Sequence, residues 1–198
     1  CSASSGRQVD PSWLCRMYRS QGTAFVERLR GSFALALWDA RERKLILAAD
    51  RLGTRPLYYA LAGPRVVFAT DARALLADED LPRQTDEQTL CEYLALGFPL
   101  EDRTLLAGVR LVEPGAVVTF AGGRVSRTTY YRARFETAPA EGEPLDRTFC
   151  DRFLDAVREL TEEEGTYAVP LSGGLDSRCI AAAPWRSGRK AGGVTIGI

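Results

Sequence analysis

Ser172-Gly173-Gly174-Leu175-Asp176-Ser177 is the stretch of this sequence best equipped for chemistry. Adjacent glycines let a backbone turn sharply, and amide N–H groups gathered at a helix start attract an anion through orphan donors and the helix dipole together. Two hydroxyls add neutral donors, and the Asp176 carboxylate suits the Mg2+ that accompanies a nucleoside triphosphate. By residue type the string is a pyrophosphate cradle; the plainer alternative is a Gly-Gly turn with a Ser/Asp helix cap. Context separates the two, because a cradle needs a strand before it and a helix after it.

The flanking residues predict that context. Ala168 to Leu171 reads as a short strand, Arg178 to Ala183 as a small-residue helix that Pro184 cuts short, and Val194 to Ile198 as another apolar strand. Upstream, Leu145, Phe149, Phe153, Val157 and Leu160 recur every three or four residues, the period of an amphipathic helix, with Glu162-Glu163-Glu164 as its solvated end. Together these are the start of an α/β unit. Residues Thr137 to Pro144, rich in Pro, Ala, Gly and Glu, read as a linker, so the chain divides into 1–136, 137–144 and 145–198.

The first region has a different rhythm. Asp10 is placed as N-cap and Pro11 as first residue of a helix through Trp13, Leu14, Met17 and Tyr18 that Gly22 stops. Phe33 to Trp38 and Leu45 to Ala49 predict a buried hairpin, and Pro56 to Ala60 with Val66 to Ala69 predict two further strands extending the same antiparallel sheet. Asp50-Arg51 reads as an ion pair or turn anchor at the hairpin end. Thr85 with Gln88 is a capping-box signature for a helix closed by Gly97, and Val109 to Tyr131 predicts another hairpin around Gly122-Gly123. The expected fold is therefore α+β, with an antiparallel β-layered region, followed by α/β.

Composition narrows the chemistry. With 198 residues and 45% hydrophobic content the chain can bury a sizeable core, which excludes overall disorder. Its 26 basic and 26 acidic residues cancel, so no net field draws it to nucleic acid or an anionic membrane. The sequence contains neither His nor Asn, which excludes His-based acid/base catalysis, Ser-His-Asp triads, imidazole zinc sites and N-linked glycosylation. Cys1, Cys15, Cys91, Cys150 and Cys179 lack Cys-x-x-Cys spacing, so reduced thiols in a cytoplasm are expected. No apolar run approaches the roughly 18 to 20 residues of a spanning helix, and no basic-then-apolar leader opens the chain, so a soluble, cytoplasmic protein is expected. The missing initial Met and the terminal apolar run predict a fragment cut at both ends.

The loop at 172–177 resembles that of the N-type ATP pyrophosphatases, which include the asparagine, GMP, NAD and argininosuccinate synthetases. The segments Leu29 to Asp39 (LRGSFALALWD) and Asp50 to Tyr59 (DRLGTRPLYY) look like the closing part of a class II glutamine amidotransferase domain. In that order, ahead of that loop, the chain is similar to the glutamine-hydrolysing asparagine synthetase family. The resemblance implies that 1–136 is the C-terminal part of the amidotransferase domain and 145–198 the N-terminal part of the ATP-binding domain, whose sheet is parallel. It implies an ATP-dependent ligase that activates a carboxylate as an acyl-AMP, releases pyrophosphate and transfers ammonia from glutamine, taking aspartate to asparagine.

Residue by residue, the resemblance gives Ser172, Gly173, Gly174, Asp176 and Ser177 to pyrophosphate and Mg2+, with Asp176 as the metal residue, and Leu171 and Ile196 to the adenosine part. Asp10 matches the residue that takes the amino group of glutamine, a role compatible with capping a helix. The family's nucleophile is an N-terminal Cys followed by Gly; here Ser2 follows Cys1, which reads as an internal residue, so no catalytic residue is assigned within this chain. Two departures stand out: the absent Asn removes the Asn-Gly segment that binds glutamine, and Arg178 stands where a second Ser is common. These keep two alternatives open, a specialised amide former such as a lasso-peptide cyclase or secondary-metabolite synthetase with a decayed amidotransferase domain, and a non-catalytic nucleotide-binding remnant. Implied partners are ATP, glutamine and aspartate or another carboxylate, without nucleic acid or membrane, and a homodimer is compatible with the family.

Overall fold

The computed structural model describes residues 10–135, 145–161, 165–186 and 188–195. The chain divides into two compact units, Val9–Arg134 and Phe135–Ile198. The first holds two antiparallel sheets. In one, β1 (Ala34–Asp39), β2 (Lys44–Ala49), β6 (Ala116–Ala121) and β7 (Arg124–Thr129) lie in the order β1-β2-β6-β7. In the other, β3 (Tyr58–Ala62) lies between β4 (Arg65–Ala69) and β5 (Val109–Leu111).

Alternation along the strands builds the layers, since successive side chains point to opposite faces. Leu47 and Ala49 of β2 join Val118 and Phe120 of β6 and Tyr59 of β3 in a core between the sheets. The rings of Tyr59 and Phe120 meet edge to face at 5.3 Å. Ile46 and Ala48 point the other way, against Phe25 and Val26 and against Leu14, Met17 and Tyr18 of helix α1 (Pro11–Gln21). Ala60 and Ala62 of β3 pack outward on Leu75, Leu81 and Val109.

The hairpin β1/β2 forms where expected, with Ala36 opposite Leu47. The expectation that β3 and β4 extend its sheet is corrected: they pair with each other and with β5 in the second sheet. The reason is the turn at Asp50, whose carboxylate is 3% exposed. It accepts from the amides of Phe33 (3.2 Å), Leu52 (3.0 Å) and Thr54 (3.2 Å) and from the Thr54 hydroxyl (2.6 Å). Asp50 is thus a turn anchor that redirects the chain after β2. Arg51 instead donates to the Glu27 carbonyl at 3.2 Å and lies over the Tyr131 ring.

Two helix boundaries also differ from expectation. In α2 (Glu87–Leu96) the cap is Asp86, which accepts from the Thr89 amide at 2.8 Å, rather than Thr85. Thr85 is paired in a bridge with Leu106, and Gln88 donates to Glu92. A carboxylate one residue closer to the first turn takes the capping position, while Gly97 closes the helix in the left-handed conformation as expected.

The second unit contains α3 (Leu145–Leu160), β8 (Tyr167–Pro170), α4 (Leu175–Arg186) and β9 (Ala191–Val194). Strands β8 and β9 pair in parallel, Tyr167 opposite Ala191 and Pro170 opposite Val194, with α4 as the crossover. Helix α4 begins at Leu175 and passes through Pro184, correcting the expected span of 178–183. Proline near the last turn removes a single amide donor, and the chain past the helix is secured by the Arg189 amide on the Pro184 carbonyl at 2.9 Å. The strand expected over 194–198 forms earlier, as β9, and residues 196–198 lie outside the described ones. Glu162 to Glu164 and the segment 136–144, which contains the expected linker, also lie outside them. A complete nucleotide-binding domain is not in this chain; its second unit holds one β–α–β step. Among the described residues no helix is long and apolar enough to cross a membrane.

Candidate functional site

Strand β8 ends at Pro170, and the chain is held to β9 for one residue more, by the Leu171 amide on the Val194 carbonyl at 2.8 Å. The Thr195 hydroxyl donates to the Leu171 carbonyl at 2.7 Å, so Leu171 is fixed between the two strand ends. From there the backbone must turn into α4 within three residues. Gly173 supplies the turn at φ +82°, a conformation L side chains rarely adopt. The hydroxyls of Ser172 and Ser177 approach to 3.3 Å across the loop, and Ser177 is 9% exposed while Ser172, Gly173, Gly174 and Asp176 are open to solvent.

The Gly174 carbonyl is the most engaged atom of the loop. It accepts from the Ser177 hydroxyl (3.2 Å), the Arg178 amide (3.4 Å) and the Arg178 Nε (3.2 Å). Helix α4 has 12 residues, and first-turn amides have no partner within a helix, so its start offers donors to an anion. Asp176 stands in that first turn. Mg2+ takes one or two carboxylates and otherwise keeps waters and phosphate oxygens, so one exposed carboxylate beside the loop fits that ion. Among the described residues no group of three or more His, Cys, Asp or Glu forms a protein-only metal cage.

The structure thus gathers Leu171, Ser172, Gly173, Gly174, Asp176 and Ser177 on one strand–loop–helix. Ile196 and Cys1 lie outside the described residues. Asp10 belongs to the first unit, as N-cap of α1: its carboxylate accepts from the Ser12 amide at 2.9 Å and from the Ser12 hydroxyl. The Ser12 hydroxyl, then its amide, and the more distant Arg16 guanidinium hold the Asp10 carboxyl below its ordinary pKa although burial opposes them. It is therefore an exposed anion at neutral pH, a suitable partner for an ammonium group.

Sequence reasoning did not single out the charged cluster around Asp102, which is 5% exposed. Its carboxylate meets Arg110 and Arg127, each at 2.8 Å, and Arg127 also donates to the Tyr59 hydroxyl at 2.8 Å. Burial first, then the neighbouring Asp102 charge, raises the Tyr59 pKa against the opposing pull of Arg127. The cluster ties β3, β5 and β7 together. Tyr59 and Arg127 lie far in sequence from the Asp102–Arg110 pair, and no local pattern marks them.

A family model described as a glutamine amidotransferase domain matches residues 6–131. Asparagine synthetase [glutamine-hydrolyzing] 1 of Bacillus subtilis is 31% identical over 175 residues, covering 87% of this chain and 27% of that protein. Asparagine synthetase [glutamine-hydrolyzing] 3 of the same organism is 29% identical over 177 residues, covering 89% and 29%. Amidase chyE of Penicillium rubens is 31% identical over 184 residues, covering 89% and 27%. The chain spans a little over a quarter of the length of these relatives.

Proposed function

This chain belongs to the glutamine amidotransferase domain family, and on that premise we propose that it is part of an asparagine-synthetase-like amide ligase, with residues 1–136 from the amidotransferase domain and 145–198 from the start of an ATP-binding domain. One observation carries the reading: an amidotransferase-matching region is followed by an open Ser-Gly-Gly-Leu-Asp-Ser loop between a strand and a helix. In this reading ATP lies at the strand ends, with Leu171 and Ile196 against its adenosine part. Ser172, Gly173, Gly174 and Ser177 hold the phosphates that leave as pyrophosphate when a carboxylate is activated as an acyl-AMP. Mg2+, held by Asp176, supplies charge neutralisation on those phosphates. Asp10 orients glutamine by its amino group, and the nucleophile that releases ammonia is not assigned within this chain. The partners are small molecules, ATP, glutamine and aspartate, and a homodimer is compatible with the family.

A second reading keeps the ligase chemistry and changes the acceptor to a metabolite or peptide. It is favoured by the match to an amidase as well as to asparagine synthetases, and by Arg178 in the first turn of α4. The test is to supply the full-length protein with Mg2+, ATP, glutamine and aspartate and to measure AMP, pyrophosphate, glutamate and asparagine. All four products are expected for the first reading. AMP and pyrophosphate formed only with another carboxylate would move the assignment to the second, and absence of AMP with every acceptor would leave a non-catalytic remnant.

A further inference from the structure

Arg178 is an unexpected residue where it stands. It is the fourth residue of α4, and a cation in the first turn of a helix faces the positive end of the macrodipole. Its side chain nevertheless folds back onto the loop, with Nε 3.2 Å from the Gly174 carbonyl. That carbonyl also receives the Ser177 hydroxyl and the Arg178 amide. In a planar trans peptide the N–H points opposite to the C=O, so three donors on the Gly174 oxygen fix the Leu175 N–H outward from the helix start. They also keep an oxygen dipole turned away from any anion in the loop. A guanidinium has five N–H donors, and the contact with Gly174 uses one.

We infer that Arg178 is a positioning and charge-compensating residue for the diphosphate portion of the nucleotide, binding the loop's own carbonyl through Nε while its positive charge stands beside the anion. This rests on the nucleotide reading of the loop. An anion in the loop resolves the unfavourable placement of a cation at a helix start, because the two charges then attract across a short distance. The Asp176 carboxylate, two residues earlier in the same turn, needs the same compensation when phosphates approach.

The test uses the full-length protein and measures binding of inorganic pyrophosphate and of AMP by calorimetry at low and high salt, for the wild type, Arg178→Ala, Arg178→Gln, Arg178→Lys and Gly173→Val. Gln keeps a side-chain N–H for the carbonyl but lacks the charge. The expected result is about tenfold weaker pyrophosphate binding for Ala and Gln, ~1.4 kcal/mol. Lys should recover most of the loss, AMP binding should stay within about twofold, and the deficit should shrink as salt screens the charge. If Arg178→Ala and Arg178→Gln bind pyrophosphate as the wild type does while Gly173→Val has lost it, the role of Arg178 is overturned and the nucleotide reading stands. If the wild type binds neither pyrophosphate nor AMP, or Gly173→Val binds pyrophosphate unchanged, the nucleotide reading fails and this inference fails with it.

Discussion

Removing the Asp50 carboxylate should destabilise the first unit. Four donors lie within 3.2 Å of its two oxygens, the amides of Phe33, Leu52 and Thr54 and the Thr54 hydroxyl. Leu52 and Thr54 are exposed, so some of their donors can turn to water when the carboxylate goes. Counting two bonds to a charged group as lost outright, at about 1.5 kcal/mol each, gives about 3 kcal/mol for Asp50→Ala, on the order of a hundredfold in local opening. Burial raises the Asp50 pKa, but the Thr54 hydroxyl and the amides of Thr54, Leu52 and Phe33 more than reverse this, so the folded value is below 3.8. A lowered folded pKa contributes stability that is complete above the unfolded value and is lost as pH falls through the folded one. The variant should therefore lose most at neutral pH and converge with the wild type in acid. Amide hydrogen exchange read on peptides covering residues 33–55 is the direct assay, with urea unfolding followed by circular dichroism as the global one. A loss under about 0.5 kcal/mol at neutral pH, the range of ordinary surface substitutions, would refute the anchor.

Gly115→Ala should cost about 2 kcal/mol or more, because φ is +65° and a Cβ would stand 2.4 Å from the Tyr131 carbonyl oxygen, whereas Gly97→Ala, at φ +84° with open space around it, should cost only about 1 kcal/mol in thermal melts. Tyr130→Phe removes the hydroxyl that donates to the Ala49 carbonyl at 2.7 Å and should cost about 1 kcal/mol. Burial, then the Asp50 charge, pushes the Tyr130 pKa from 10.0 up to about 12, so this contribution is complete below the unfolded value and is lost as pH rises through the folded one, which spectroscopic titration of the phenol checks. Asp86→Ala should cost about 1 kcal/mol through the lost cap of α2, and Thr85→Ala within about 0.5 kcal/mol, a ranking that urea midpoints decide.

What the sequence made legible was local. Helix α1 carries its cap at Asp10, its first residue at Pro11 and its stop at Gly22 within a dozen positions, and all three fall where the residue types predict. The β1/β2 hairpin is similarly local. The assignment of β3 and β4 to a second sheet was not legible, because alternation says that a strand has a buried face but not which neighbour buries it. Asp86 displaced Thr85 as a cap because Thr85 pairs with Leu106, which no local window contains. At the candidate site the loop residues could be read from their types, while the return of Arg178 onto Gly174 depends on a rotamer. The Asp102 cluster joins a turn residue to side chains from three separate strands and carries no sequence period.

The burial of β2 on both faces has a consequence for how its alignment is chosen. Its four buried residues are Ile46, Leu47, Ala48 and Ala49, two large and then two small, with Ile46 and Ala48 facing one core and Leu47 and Ala49 the other. A slip by one residue would put Ala48 in the place of Leu47 and Asp50 in that of Ala49, or, in the other direction, Leu47 in the place of Ala48, so a cavity with a buried carboxylate or a clash opposes either error. The ends of the strand add a second constraint. At one end Asp39 clasps the amides of Arg41 and Glu42, and at the other Asp50 clasps those of Phe33, Leu52 and Thr54. The step from large to small side chains along β2 therefore marks its alignment from within, and the two aspartates mark the same zero from outside.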